Sequence, residues 1–277
     1  MLTVGSPSSK PADRAGPTGA PIAVRAVSKW FGEPDAQFQA LAELDIDVEP
    51  GEFASVIGPS GCGKSTLLRI VGGLLAHDAG AVTVAGTTPT QARATKELSF
   101  TPQAPALMPW RTVRRNVTLL RELNTRRAAH RPLSETEAIE LLEAVGLGGH
   151  LDRYPRELSA GMRQRVALVR GFVLGAPILL MDEPFSALDE ITRDEMRYLL
   201  LDLWQHSGPT VLFVTHSIPE AVILSDRVFV MARSPGRVVH VETVTLDRPR
   251  TVAMEDDPQF HQHLRNVRAA LRQGSGR

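Results

Sequence analysis

Gly58-Pro59-Ser60-Gly61-Cys62-Gly63-Lys64-Ser65-Thr66 follows the apolar run Phe53 to Ile57 and leads directly into Leu67 and Leu68. The run before it reads as a strand bounded by glycine, and the leucines after it read as the start of a helix. The spacing G-x-x-x-x-G-K-[ST], in a strand-loop-helix setting, is that of a phosphate-binding loop. Glycines let successive N–H groups face one anion, and the helix N-terminus adds a partial positive charge. On this reading Gly58, Pro59, Ser60, Gly61, Cys62 and Gly63 wrap the phosphates of a nucleotide. Lys64 reaches the β- and γ-phosphates, Ser65 ligates Mg²⁺, and Thr66 bonds near the α-phosphate. A helix N-terminus favours thiolate formation at Cys62. The backbone does the binding in such a loop, so Cys62 is read as a small tolerated residue and not as a nucleophile.

Outward from the loop, Ile22 to Val27, Ala81 to Val84, Ile178 to Met181 and Val211 to Val214 are further short β-branched runs bounded by polar or turn residues. Helical stretches lie between several of them, which predicts an α/β core around a buried, largely parallel sheet. From about Ala104 to Phe172 the periodicity is helical, without strands, and predicts an inserted helical subdomain. Its clearest helix starts at Ser134, with Glu137 completing a capping box, and stops at Gly146. Ser234, Pro235 and Gly236 make a turn into a strand-like run, Val238 to Val244. Residues 1–21 read as a disordered tail, 22–240 as the folded domain, and 241–277 as a polar, peripheral extension.

A second motif lies at Ile178-Leu179-Leu180-Met181-Asp182-Glu183, an apolar strand ending in two carboxylates. Beside a phosphate loop, such a strand end places Asp182 on the hydration shell of Mg²⁺. Glu183, one residue on, would orient and deprotonate an attacking water. Composition excludes other classes. Lysine plus arginine and aspartate plus glutamate both number 31, so the net charge gives no argument for a nucleic-acid partner. The single cysteine builds no disulfide framework and suits a reducing compartment. No apolar run approaches the roughly 18 to 20 residues that span a bilayer.

Leu158-Ser159-Ala160-Gly161-Met162, about twenty residues before the acidic strand end, resembles the signature motif of the ABC ATPases. The resemblance covers roughly residues 22–240. It extends to Gln103 as the Q-loop glutamine, Ser186-Ala187-Leu188-Asp189 as the D-loop and His216 as the switch histidine. Phe31 fits the aromatic that stacks on adenine; Trp30 competes for that role, and either could be core packing. The sequence departs from the usual LSGGQ: Ala160 stands for a glycine and Met162 for the glutamine. Ala160 therefore needs a backbone conformation that an L-residue accepts. After His216 the family commonly has aspartate, whereas Ser217 stands here, able to cap the next helix with Glu220 completing a capping box.

The resemblance implies a P-loop NTPase core with a helical subdomain and a small antiparallel β region. It further implies ATP and Mg²⁺ as ligands and a head-to-tail homodimer. In that dimer Ser159, Ala160, Gly161 and Asp189 contact the nucleotide held by the partner's loop. Glu183, His216 and Gln103 are the catalytic set, with Ser65, Gln103 and Asp182 toward the metal. The partners implied are transmembrane permease subunits and, indirectly, a solute-binding protein, with the chain peripheral on the cytoplasmic face of the membrane. A soluble ABC ATPase acting on DNA or ribosomes would carry long coiled coils or two fused copies, neither visible here. A small-molecule kinase would lack the signature. Leu107 to Val113, Asn116 and Val117, and Arg233 to Arg237, resemble the importer subfamily for nitrate, sulfonates and taurine. Pro109 and Trp110 read equally as a buried turn or as a permease-facing patch.

Overall fold

Every residue of Phe53–Ile57 is buried, as a strand without a charged side chain requires. The computed structural model describes residues 19–33, 36–122, 130 and 132–274. The expected tail thus lies outside the described residues up to residue 18. Numbered along the chain, the strands are β1 (Ile22–Phe31), β2 (Phe38–Val48), β3 (Phe53–Ile57), β4 (Ala79–Val84), β5 (Leu98–Thr101), β6 (Ile178–Asp182), β7 (Thr210–Thr215), β8 (Arg227–Ala232) and β9 (Arg237–Thr243). The larger sheet has the order β5-β6-β7-β3-β8-β9, parallel from β5 to β8, with β9 antiparallel to β8. The smaller, β2-β1-β4, is antiparallel.

Side chains alternate across the larger sheet, as a period of two dictates. Phe53, Ile57, Leu179, Met181, Val211 and Phe213 enter one core layer; Ala54, Val56, Leu180, Leu212 and Val214 enter the other. Helix α1 (Lys64–Val71) follows β3, and the short α2 (Pro89–Ala94) follows β4. The expected helical region consists of α3 (Val113–Glu122), α4 (Glu135–Ala144) and α5 (Ala160–Val173). The capping box closes as expected: the Glu137 amide donates to Ser134 Oγ at 3.1 Å, and the Ser134 amide to Glu137 Oε2 at 2.6 Å. Gly146, just past the end of α4, takes a φ of 77°.

The structure differs from the sequence expectation in three places. Strands β2, β5 and β8 were not anticipated. In β2 the alternation of Leu44, Ile46 and Val48 is broken by an irregularity at Glu43, whose φ is 43°. At α7 (Ile218–Leu224), Ser217 Oγ accepts from the Glu220 amide at 3.4 Å, but the Glu220 carboxylate does not return to the cap. It takes the Thr215 hydroxyl instead, at 2.5 Å, and Thr215 Oγ1 takes the Ser217 amide.

The third difference is the C-terminal segment, which is not peripheral. Helix α8 (Pro258–Gly274) buries Phe260, His263, Val267 and Ala270 against α7, β8 and β9. Their spacing is one helical face hidden among arginines and glutamines. Before it, the Arg250 side chain is buried and donates to the carbonyls of Val222, Ile223 and Ser225, capping the end of α7. Burial lowers its pKa to about 10. Arg248 lies over Trp204 of α6 (Glu190–Ser207), 4.1 Å from the ring centroid.

Phe260→Ala should therefore cost about 3–5 kcal/mol of folding stability in a denaturant titration, the range for truncating a buried aromatic. A loss under about 1 kcal/mol, as for a surface change, would show α8 to be dispensable packing.

Candidate nucleotide site

Parallel pairing puts the carboxyl ends of β3, β6 and β7 on one edge of the sheet. Ile57 stands opposite Thr215, Asp182 opposite Val214, and Thr101 of β5 opposite Met181. The residues that follow those strands, Gly58 onward, Glu183, His216 and Gln103, are thereby gathered along one edge, where ligands bind in open parallel sheets.

The phosphate loop folds back on its own lysine. Lys64 Nζ donates to the carbonyls of Gly58 at 2.8 Å and Pro59 at 3.4 Å, and lies 3.8 Å from Glu183 Oε1. Gly63 caps α1 with a φ of 95°; a Cβ there would stand 2.5 Å from Leu41 Cδ2, so a side chain is excluded twice over. Ser60 and Gly61 are exposed at the tip, and Ser65 and Thr66 are half-buried in the first turn of α1. Cys62 is buried, and burial pushes its thiol pKa up, the opposite of an activated nucleophile.

Ser65 Oγ donates to Asp182 Oδ1 at 3.0 Å. A hydroxyl and one carboxylate at that separation fit a hard cation that takes its remaining oxygens from water and phosphate. Among the described residues no group of three histidine, cysteine or carboxylate side chains could hold a metal unaided. Burial raises the Asp182 pKa against the lowering effect of Ser65.

Glu183 takes a φ of 44°, a strained value for a non-glycine residue, held by its amide's hydrogen bond to the Val214 carbonyl at 2.9 Å. Its Oε2 lies 3.2 Å from His216 Nδ1. One carboxylate thus sits between a lysine and an imidazole. Gln103 donates from Nε2 to Ser186 Oγ at 3.2 Å; among the described residues no hydrogen bond joins it to Ser65 or Asp182. Phe31 is exposed at the end of β1, paired with the exposed Phe38, while Trp30 is half-buried.

The signature and D-loop residues stand apart from this cluster. Ser159 caps α5, its Oγ accepting from the Met162 amide at 3.2 Å, and Ala160 enters the helix without a positive φ, so its replacement of glycine is unstrained. A Cβ on Gly161 would meet Thr192 Cγ2 at 2.8 Å, a reason for glycine that has nothing to do with its φ. Asp189 caps α6 through the Thr192 amide at 3.0 Å, which lowers its pKa. Ser159, Ala160 and Asp189 are exposed, and no hydrogen bond or ion pair among the described residues ties them to the phosphate loop of their own chain.

One feature escaped the sequence reading, and one that it left open is decided. Gly236 donates to the Ala40 carbonyl at 3.0 Å, and a Cβ on it would stand 2.2 Å from the Cys62 carbonyl oxygen, so the β8–β9 turn braces the phosphate loop. Trp110 is 71% exposed, which removes the buried-turn alternative. The turn presenting it is held by Asn116, whose buried amide accepts from the Met108 amide at 2.7 Å and donates to the carbonyls of Met108, Arg111 and Thr112.

A family model described as ABC transporter matches residues 41–186. The chain belongs to the ABC transporter family. Over 244 residues, 88% of each chain, it is 43% identical to an aliphatic sulfonates import ATP-binding protein of Paracoccus denitrificans. It is 39% identical over 250 residues to a nitrate import ATP-binding protein of Synechococcus elongatus, covering 88% of this chain and 37% of that one. Among solved structures it resembles the ATP-binding cassette MJ0796 in a dimeric post-hydrolysis state bound to ADP and Pi. The TM-score is 0.69 at 29% identity, over 82% of this chain and all of the other. The protein is an ATP-binding cassette and an ATPase. No helix among the described residues is long and apolar enough to cross a membrane.

A carboxyl whose pKa is higher folded than unfolded costs stability wherever it is ionised, and the cost is relieved as pH falls through the folded value. In nucleotide-free protein, Asp182→Asn should therefore melt above wild type at pH 7. That difference should shrink as pH falls toward the ordinary carboxylate range. Equal melting temperatures across the titration would show that burial of Asp182 carries no such cost.

Proposed function

We propose that this chain is the ATP-hydrolysing subunit of an importer for a small anion, acting as a homodimer against a separate membrane permease. The observation that carries this reading is the division of its machinery. Lys64, Ser65, Asp182, Glu183 and His216 meet at one sheet edge, while Ser159, Ala160, Gly161 and Asp189 lie on other segments, with no hydrogen bond or ion pair to it among the described residues. A second copy, docked head to tail, would bring its signature to this loop and complete the site.

In the closed dimer the loop amides and Lys64 hold the phosphates, and Phe31 stacks on the adenine. Ser65 and Asp182 would hold Mg²⁺, which would supply charge neutralisation on the phosphates. Glu183 orients the attacking water and takes its proton, and His216 fixes the Glu183 carboxylate from the other side. The partner's Ser159 closes on the γ-phosphate, and Gln103 reports the state of the site to the helical region. Positioning and charge stabilisation provide the rate.

Trp110 and the turn Leu107 to Arg111 follow Gln103 in the chain and form the surface proposed for the permease, with the protein peripheral on the cytoplasmic face. Sulfonate and nitrate import in the relatives' names supports a small anion of that type, delivered by a solute-binding protein. In this reading the solute is bound by the other subunits of the importer.

Glu183→Gln should bind MgATP with wild-type affinity and accumulate as a dimer in size-exclusion chromatography, because the phosphate and metal ligands remain while the base is lost. A persistent monomer at saturating MgATP would count against the shared site.

Trp110→Ala should leave the ATPase rate of the isolated subunit unchanged and reduce co-purification of its permease, since one aromatic anchor can dominate an interface. A variant with lower basal ATPase and intact permease binding would make Trp110 a packing residue. Solute-stimulated ATPase in the reconstituted importer, responding to sugars or amino acids but to no small anion, would remove the solute assignment alone.

A further inference from the structure

His216 lies in a turn whose two flanking residues are joined by one hydroxyl. Thr215 Oγ1 accepts from the Ser217 amide at 3.0 Å and donates to Glu220 Oε2 at 2.5 Å. The two peptide units around His216 are thus fixed by a bond that bypasses the histidine, and the far end of that bond is Glu220. Glu220 is 4% exposed, although it stands in the first turn of α7, where an acidic residue ordinarily caps or faces water.

A buried carboxylate needs compensation. Burial pushes its pKa up, and Thr215, Arg193, Arg197 and His216 oppose that rise. Among these, Arg193 forms an ion pair: its Nε lies 3.7 Å from Glu220 Oε1. Arg193 belongs to α6, and its guanidinium also donates to the carbonyls of Phe185, at 3.4 Å, and Leu188, at 2.7 Å. Those carbonyls bracket Ser186 and Ala187, the segment between Glu183 and Asp189. Glu220 therefore joins, through one oxygen, the turn carrying His216 and, through the other, the segment carrying Ser186, to which Gln103 is bonded.

We propose that Glu220 is a positioning residue for hydrolysis. Through Thr215 it sets His216 against Glu183, and through Arg193 it keeps the D-loop in register with that pair. The inference rests on the role proposed above for His216. Among the described residues neither Glu220 nor Thr215 is hydrogen-bonded to the nucleotide-binding loop, so their loss acts on the rate of the chemical step and not on ATP binding.

The test is steady-state MgATP hydrolysis by the full-length chain, with kcat and KM separated and the folded fraction checked by thermal melting. Glu220→Gln keeps the shape and loses the charge that holds Arg193; Thr215→Val removes the hydroxyl. Each should lower kcat roughly tenfold to a hundredfold, the penalty for a slightly misplaced catalytic group. KM should stay within about twofold, because only interactions made in the transition state are lost. The double variant should lose no more than the worse single, as members of one network do. Thr215→Ser, which restores the hydroxyl, should recover the rate. Wild-type kcat in Glu220→Gln and Thr215→Val, or a fall in rate that tracks only the folded fraction, would overturn the proposal. His216→Ala measured alongside separates the two readings. If it is inactive while Glu220→Gln is normal, the positioning role fails alone; if it has wild-type kcat, the role of His216 fails and this inference with it.

Discussion

The hydrogen bond from the Glu183 amide to the Val214 carbonyl extends the β6–β7 ladder one residue beyond the strand. A chain leaving a parallel strand could turn away at once; this one is held to the sheet for one more residue and forced into a left-handed backbone. The conformation is costly for a glutamate, of order 1–3 kcal/mol, and persists because the surrounding sheet over-determines it. It turns the carboxylate across the mouth of the phosphate loop, between Lys64 and His216. Every other part of the site is arranged around that carboxylate.

Charge balance follows from the same geometry. Lys64 is nearly enclosed and has Glu183 as its acidic neighbour, with the Gly58 and Pro59 carbonyls completing its shell. Asp182, one residue earlier, faces Ser65 and suffers desolvation that Lys64 and Arg69 only partly offset. The loop thus has an ammonium satisfied by weak backbone acceptors and a carboxylate held at a cost. Both would be improved by ATP with the Mg²⁺ proposed for it, so binding would relieve strain already present in the fold.

The central fold was legible in the sequence because its strongest signals are local. A fully apolar strand before the glycine-rich loop, the strand ending Asp182-Glu183 and the capping box at Ser134 each dictate their structure within ten residues. Less was legible where long-range packing decided the outcome. β2 was obscured by the irregularity at Glu43, and α8 by arginines flanking a narrow apolar face. The expected cap at Ser217 is half formed because Thr215, a strand residue, competes for the Glu220 carboxylate, and nothing in the spacing S-x-x-E reveals a third claimant. Within the candidate site, the phosphate loop and the two carboxylates fall where their spacing put them. The partner of Gln103 and the brace at Gly236 are tertiary facts with no signature in their own segments.

The turn that presents Trp110 is built by Asn116 bonding only to main-chain atoms of Met108, Arg111 and Thr112. None of those bonds involves the side chain of Trp110. The exposed Trp110 can be replaced without breaking any of those bonds, whereas Leu107 packs on the core and Arg111 pairs with Glu122. In the proposed role, recognition of a partner and the stiffness needed to push on it would thereby be separable. If this turn is the proposed permease contact, a change of permease would need only a change at its exposed side chain, with the hydrolytic site left as it is.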